Sequence, residues 1–168
     1  MSDMHNKRAA EIINNIIYIT IATGSKGGQP WNSPVYSGFD EDLNFYWSSD
    51  KDAQHSKNVR DTGKVFLVIY DSTAPESTGE GVYIQADAHE LGENDEIQVA
   101  RRVTQTRKSQ EDELGKKEYE KFTGSAVRRV YKAVPQKVWM NDVELDKNSK
   151  YIRDIRINVP ITELKSFF

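Results

Sequence analysis

The chain has no cysteine, which excludes disulfide staples, thiolate nucleophiles and thiolate metal sites, and fits a reducing, cytoplasmic setting. It has only three histidines, His5, His55 and His89, far apart in sequence and without carboxylates at helical spacing. No zinc-type ligand pattern is therefore present. No G-x-G-x-x-G opens a helix, the GSKGG of residues 24–28 lacks the Lys-Ser/Thr ending of a phosphate loop, and no G-x-S-x-G marks a nucleophilic serine. No run approaches the ~20 apolar residues of a membrane-spanning helix. The N-terminal MSDMHNKRAAEIINN carries charges where a signal peptide would carry its apolar stretch. An excess of one charge is missing too: a net −3 gives no bulk attraction for nucleic acid. The one local basic group, Arg128, Arg129 and Lys132, is short and reads as a solvated strand face rather than a binding patch. These gaps remove the common hydrolase, kinase and zinc-enzyme readings.

What is present fits one soluble domain over residues 1–168, with 37% hydrophobic residues to build a single core. Ala9–Ile17 has helical spacing, with Ile12, Ile13 and Ile16 on one face. Ile17, Ile19 and Ile21 then alternate with Tyr18, Thr20 and Ala22, the period of a strand. GSKGGQP is a turn in which Gly27 and Gly28 permit positive φ. WNSPVYSGF and LNFYWSS are the next strands, joined through a turn at Asp40–Asp42. A helix is expected from about Asp52 through His55 and Val59. KVFLVIY (64–70) is a continuous apolar run expected to be buried on nearly both faces. GVYIQADAHEL alternates, with Val82, Ile84, Ala86 and Ala88 inward. Asn94 or Asp95 caps a helix to about Arg107, with Ile97, Ala100 and Val103 on one face. Gln110–Phe122 reads as a second, charged helix. Arg128–Met140 and Tyr151–Val159 are closing strands. Strands in close succession without intervening helices argue for a mainly β fold with peripheral helices (α+β), a small antiparallel barrel, over a parallel βαβ arrangement.

One corner concentrates polar chemistry. The strand ending in Ser48 and Ser49 turns into a helix whose first turn offers unpaired N–H groups. Lys51, Gln54, His55 and Lys57 lie beside it, a combination suited to an anion such as a phosphate monoester. Trp31, Tyr36, Tyr46 and Trp47 on adjacent strands offer flat surfaces for a planar ring. By residue type alone, barrel aromatics are more often core and Ser-Ser-Asp is more often a helix cap.

The order of these elements resembles a known family. The run WNSPVYSGFDEDLNFYWSSDKDAQHSKNVRDTGKVFLVIYD is similar to the flavin-binding core of the pyridoxamine 5′-phosphate oxidase-like split barrels. The strand–turn–strand, the aromatic pair before small polar residues, H-S-K-N-V and the apolar strand after it carry the resemblance. It extends more loosely into VYKAVPQKVWMN and YIRDIRINV. It implies FMN bound at a homodimer interface. Trp31, Asn32, Ser33, Pro34, Val35 and Tyr36 would then lie along the isoalloxazine ring, and Tyr46 and Trp47 near the phosphate and ribityl chain. Gln54 and His55 match phosphate ligands, Gly81 matches a ring-touching position, and Trp139, with Arg156 as companion, would arrive from the second subunit. The oxidase proper carries Arg and Lys at the Trp31 and Tyr36 positions and an Arg-Lys pair at Gln54-His55. The sequence therefore looks more like the general-stress and flavin-reductase-like branches. The implied function is an FMN-dependent oxidoreductase between a nicotinamide-type donor and a small acceptor, with no side chain marked as catalytic. His89 reads as an exposed strand residue sooner than as an acid or base. Two other classes stay open. One is a binding protein for flavin, deazaflavin or haem, whose axial ligand would be His55, His89 or His5. The other is a stress-related dimeric barrel without turnover.

Overall fold

The computed structural model describes residues 2–76, 78–107 and 120–168. Their elements run α1 (Ser2–Asn15), β1 (Tyr18–Gly24), β2 (Pro30–Tyr36), β3 (Gly38–Phe39), β4 (Phe45–Asp50), α2 (Gln54–Thr62) and β5 (Lys64–Tyr70). They continue through β6 (Gly81–Glu90), α3 (Asn94–Thr106), β7 (Arg128–Leu145), β8 (Tyr151–Asn158) and α4 (Ile161–Leu164). Every strand pair is antiparallel, in the order β2-β1-β5-β6-β7-β4-β3, with β8 added to β7. β2 and β3 stand at opposite ends of that order yet are separated in sequence only by Ser37. One stretch of chain thus switches from one end of the sheet to the other, curling it into a split barrel.

Ser37 is buried at this switch, and its N–H donates to the Ile17 carbonyl (3.1 Å). Gly38 follows because α3 crosses there: a Cβ on it would stand 2.6 Å from the Val103 carbonyl oxygen. The β1–β2 hairpin closes through Ser25 N–H to Gln29 O (3.0 Å), and of its two adjacent glycines Gly28 takes the positive φ, 82°. Pro135 sits mid-strand in β7 beside the irregularity opposite Gln85/Ala86, where a missing donor is tolerated.

The core is the inward row of each strand: Ile19, Ile21, Leu67, Ile69, Val82, Ile84, Val138 and Met140, with Phe45, Trp47 and Tyr131. A second cluster lies where α3 packs on the barrel, joining Ile97 and Ala100 to Tyr46, Leu91, Phe122 and Val130. β4 is therefore covered on both faces.

Several boundaries differ from the sequence expectation. α1 starts at Ser2 rather than Ala9, because its first turns are tied down from afar: His5 to Asp142 (2.8 Å) and Asn6 to Glu163 (2.6 Å). Its C-terminal carbonyls, from Ile13, Asn14 and Ile16, accept the Arg107 guanidinium. KVFLVIY alternates instead of being buried on both faces: Val65, Leu67 and Ile69 point inward while Phe66 and Tyr70 are exposed. The expected helix over Gln110–Phe122 lies, up to residue 119, outside the described residues. β7 and β8 run on past the barrel as a two-stranded ribbon.

Candidate functional site

α2 is positioned by polar contacts at both ends. Gly63 takes a left-handed φ of 65° and closes the helix through its N–H to the Val59 carbonyl (2.9 Å). Asn58, buried, donates to Thr23 Oγ1 (2.9 Å), and Ser56 Oγ donates to the Asp50 carbonyl (2.7 Å). These bonds fix α2 beside the ends of β4 and β1.

At that junction lies a cavity of about 730 Å³. One wall is Pro34, Val35 and Tyr36 of β2 with Tyr18 of β1. Ser48, Ser49 and Asp50 of β4, with Ala53 and His55 at the start of α2, form a donor-rich end. Arg101, Thr104 and Gln105 of α3, Phe122, and Arg128 at the start of β7 complete it. A smaller hollow of about 420 Å³ between α1 and α3 has Arg107 as its one charged group, already spent on the α1 carbonyls.

His55 is 9% exposed. Its Nδ1 lies 3.2 Å from Ser33 Oγ, which accepts the Trp31 indole N–H (3.0 Å). The indole can only donate, so the serine proton is available to His55 Nδ1, which places the imidazole proton on Nε2. Nε2 is buried and has no partner among the described residues. Burial holds the His55 pKa below the ordinary imidazole value, favouring this neutral form.

A pH dependence follows. As pH falls through the free-imidazole value, about 6.5, the unfolded chain takes up a proton at His55 before the folded chain does. This contribution to stability is complete above that pH and declines below it. Denaturant unfolding of the apo-protein at descending pH should therefore show a steeper loss for wild type than for His55→Gln. Parallel curves would mean that His55 is not desolvated as described.

The other residues expected at a site are placed as follows. Tyr46 is buried under α3 and donates to Asp40 Oδ2 (2.7 Å); burial raises its pKa. Trp47 is fully buried in the barrel and stacks on Tyr131 (5.5 Å, 17°). Neither ring reaches the cavity. Gln54 donates to Asn58 Oδ1 (2.9 Å), and Lys51 is fixed through its backbone to Val127 and Arg60. Trp31 and Asn32 are exposed at the beginning of β2. The Gly81 N–H donates to Asn141 Oδ1 (2.6 Å). Trp139 stacks on Phe66 (6.4 Å, 20°) on the outer sheet face, where the Arg156 guanidinium lies 4.2 Å from the Tyr83 ring centre. The cavity thus gathers Pro34, Val35, Tyr36, Ser48, Ser49 and His55, and leaves the others elsewhere.

Sequence reasoning missed Tyr18, Arg101, Thr104, Gln105, Phe122 and Arg128. All come to the cavity through long-range packing. The Asp50–Arg128 strand register, for example, has no local signal.

A family model for pyridoxamine 5′-phosphate oxidase matches residues 6–141. No curated protein matches the chain by sequence. Among solved structures, the fold is similar to a candidate 5-nitroimidazole antibiotic resistance protein from Bacteroides thetaiotaomicron (13% identity, 79% of this chain and 81% of that one, TM-score 0.64). It is also similar to a candidate pyridoxamine 5′-phosphate oxidase from Listeria innocua (15% identity, 79% and 94%, TM-score 0.58). A third is a heme binding protein from Mycobacterium smegmatis (19% identity, 94% and 60%, TM-score 0.60). At these identities the likeness is one of fold.

Proposed function

We propose, on the premise that the chain belongs to the pyridoxamine 5′-phosphate oxidase family, that it is a homodimeric FMN-binding oxidoreductase. The observation that carries this reading is the single cavity joining a strand backbone (Pro34–Tyr36) to a donor-rich corner (Ser48, Ser49, His55). Its volume falls within the usual range for small-molecule sites, roughly 300–1,000 Å³. The buried Nε2 of His55, without a partner among the described residues, fits a ligand acceptor at that corner.

FMN bound there would supply hydride and electron transfer between a nicotinamide-type donor and a small acceptor. The chain's own work is to bind and orient. Ser48, Ser49 and the first-turn N–H groups of α2 would hold the phosphate. β2 ends the sheet order, so alternate N–H and C=O groups point away from β1 and are available to ring heteroatoms, where they would tune the potential. Lys51 and Gln54 flank this corner. Trp31, Asn32, Gly81 and Trp139 belong to the reading only through a second subunit.

The outer sheet face supports that second subunit. Phe66 and Tyr70 are exposed there beside Tyr83 and Trp139, an aromatic surface that a partner would cover. Light scattering at micromolar concentration should give twice 19.2 kDa. A monomer would remove both the dimer and the shared site. Absorbance of the purified protein tests the cofactor: flavin bands support the reading, and a colourless protein that does not take up added FMN overturns it. A second reading, haem binding, is favoured by one observation, that His55 is the only histidine lining the cavity. A Soret band in place of flavin bands would select it.

A further inference from the structure

Arg128 and Arg129 are neighbours on β7 and differ in how they are used. Arg129 pairs with Glu90 (3.1 Å) and donates to the carbonyls of Gly124, Ala126 and Arg128, so its charge and its donors are engaged by the fold. Arg128 is exposed and lines the cavity, and among the described residues its guanidinium makes one hydrogen bond, to the Ser48 carbonyl (3.3 Å). Among the described residues no carboxylate forms an ion pair with it. The one acidic residue lining the cavity, Asp50, directs its Oδ1 to the Asp52 N–H (2.8 Å). The donor-rich end therefore holds a cation that makes no ion pair among the described residues, with the Asp50 carboxylate opposite it in the β4–β7 register turned to the Asp52 N–H. Beside it are two serine hydroxyls and a buried histidine nitrogen without a partner among the described residues.

We infer that Arg128 is the cation that grips a phosphoryl group in this cavity, so that the ligand end held between β4 and α2 is a phosphate monoester dianion. The inference rests on the FMN reading for the identity of the ester, but not for the anion subsite itself. A guanidinium offers five N–H donors in a planar fork matched to phosphate oxygens, and the bond to the carbonyl of Ser48, itself a cavity residue, uses one of them. Lysine would keep the charge but lose the fork.

The test titrates apo wild type, Arg128→Gln and Arg128→Lys with FMN, riboflavin and inorganic phosphate, following flavin fluorescence and calorimetric heats. Arg128 is exposed, so the variants should fold, and their thermal unfolding checks this. Expected is a loss of about tenfold or more in FMN affinity for Arg128→Gln, partial recovery in Arg128→Lys, and riboflavin affinity within a factor of about two. Inorganic phosphate should compete with FMN in wild type and much less in Arg128→Gln. Equal losses for FMN and riboflavin, or no loss for either, would overturn the inference. If wild type takes up neither flavin but binds inorganic phosphate in an Arg128-dependent way, the FMN reading falls and the anion subsite stands. If phosphate binding does not depend on Arg128, or is absent, the subsite falls as well.

Discussion

Replacing Trp47 by Ala should cost about 3–5 kcal/mol of folding stability, the usual loss for deleting a large buried aromatic. The side chain is fully buried among core residues and its ring stacks on Tyr131 across the β4–β7 register. β4 is closed off on its other face by α3, so there is little room for the site to collapse into the vacated space. Trp47→Phe should lose less, because it keeps a ring against Tyr131 and removes an indole N–H that is buried without a partner among the described residues. The measurement is equilibrium denaturation, with flavin binding followed at a temperature where the Ala variant remains folded. A small stability loss joined to a large loss of flavin would return Trp47 to the ligand, contrary to its place in the core.

The second large effect is in ligand choice. The apo-protein should prefer FMN to riboflavin by roughly a hundredfold, corresponding to a net gain of about 3 kcal/mol from the phosphate. In the proposed reading Ser48, Ser49, the α2 first turn and His55 Nε2–H would supply the neutral donors and Arg128 the charged one. Gln54 does not, because its amide is directed at Asn58. Gln54→Ala should therefore leave the ratio unchanged, whereas Ser49→Ala combined with His55→Ala should remove much of it and leave riboflavin binding as it was. Burial keeps His55 neutral, so the ratio should stay flat as pH is lowered toward about 6.5 instead of rising through formation of an imidazolium. Below that, partial protonation of the phosphate itself, near pH 6, works against tighter binding. Equal affinity for the two flavins in wild type would reduce the corner to a helix start.

The barrel was legible in the sequence wherever inward and outward residues alternate, as in Tyr18–Ala22 and Val82–Ala88, because a half-buried strand imposes a period of two. The Ser48–His55 corner was legible because its chemistry is local: hydroxyls next to a helix start. The fate of the aromatics was not. Tyr46 and Trp47 look alike from composition as ligand platforms or as core, and it is the placement of α3 over one face of β4 that decides. Arg128 and Arg129 are likewise indistinguishable as letters. Glu90, far away in sequence and brought alongside by β6–β7 pairing, engages one and leaves the other for the cavity. The exposure of Phe66 and Tyr70 also escaped a run as uniform as KVFLVIY, since an apolar string carries no sign of which face a partner or solvent will meet.

The switch at Ser37 has a consequence for how the chain is made. β3 and β4 emerge from the ribosome early, directly after the β1–β2 hairpin, but β4 has only the two-residue β3 beside it until β7 is synthesised. Trp47 must therefore wait for Tyr131, and Phe45 for Ala133, with their aromatic surface unshielded in the interval. Contacts so distant along the chain are slow to close. Barrel closure thus has to await β7, and the nascent chain is most exposed to chaperones and to misassembly at the strand that later walls the cavity.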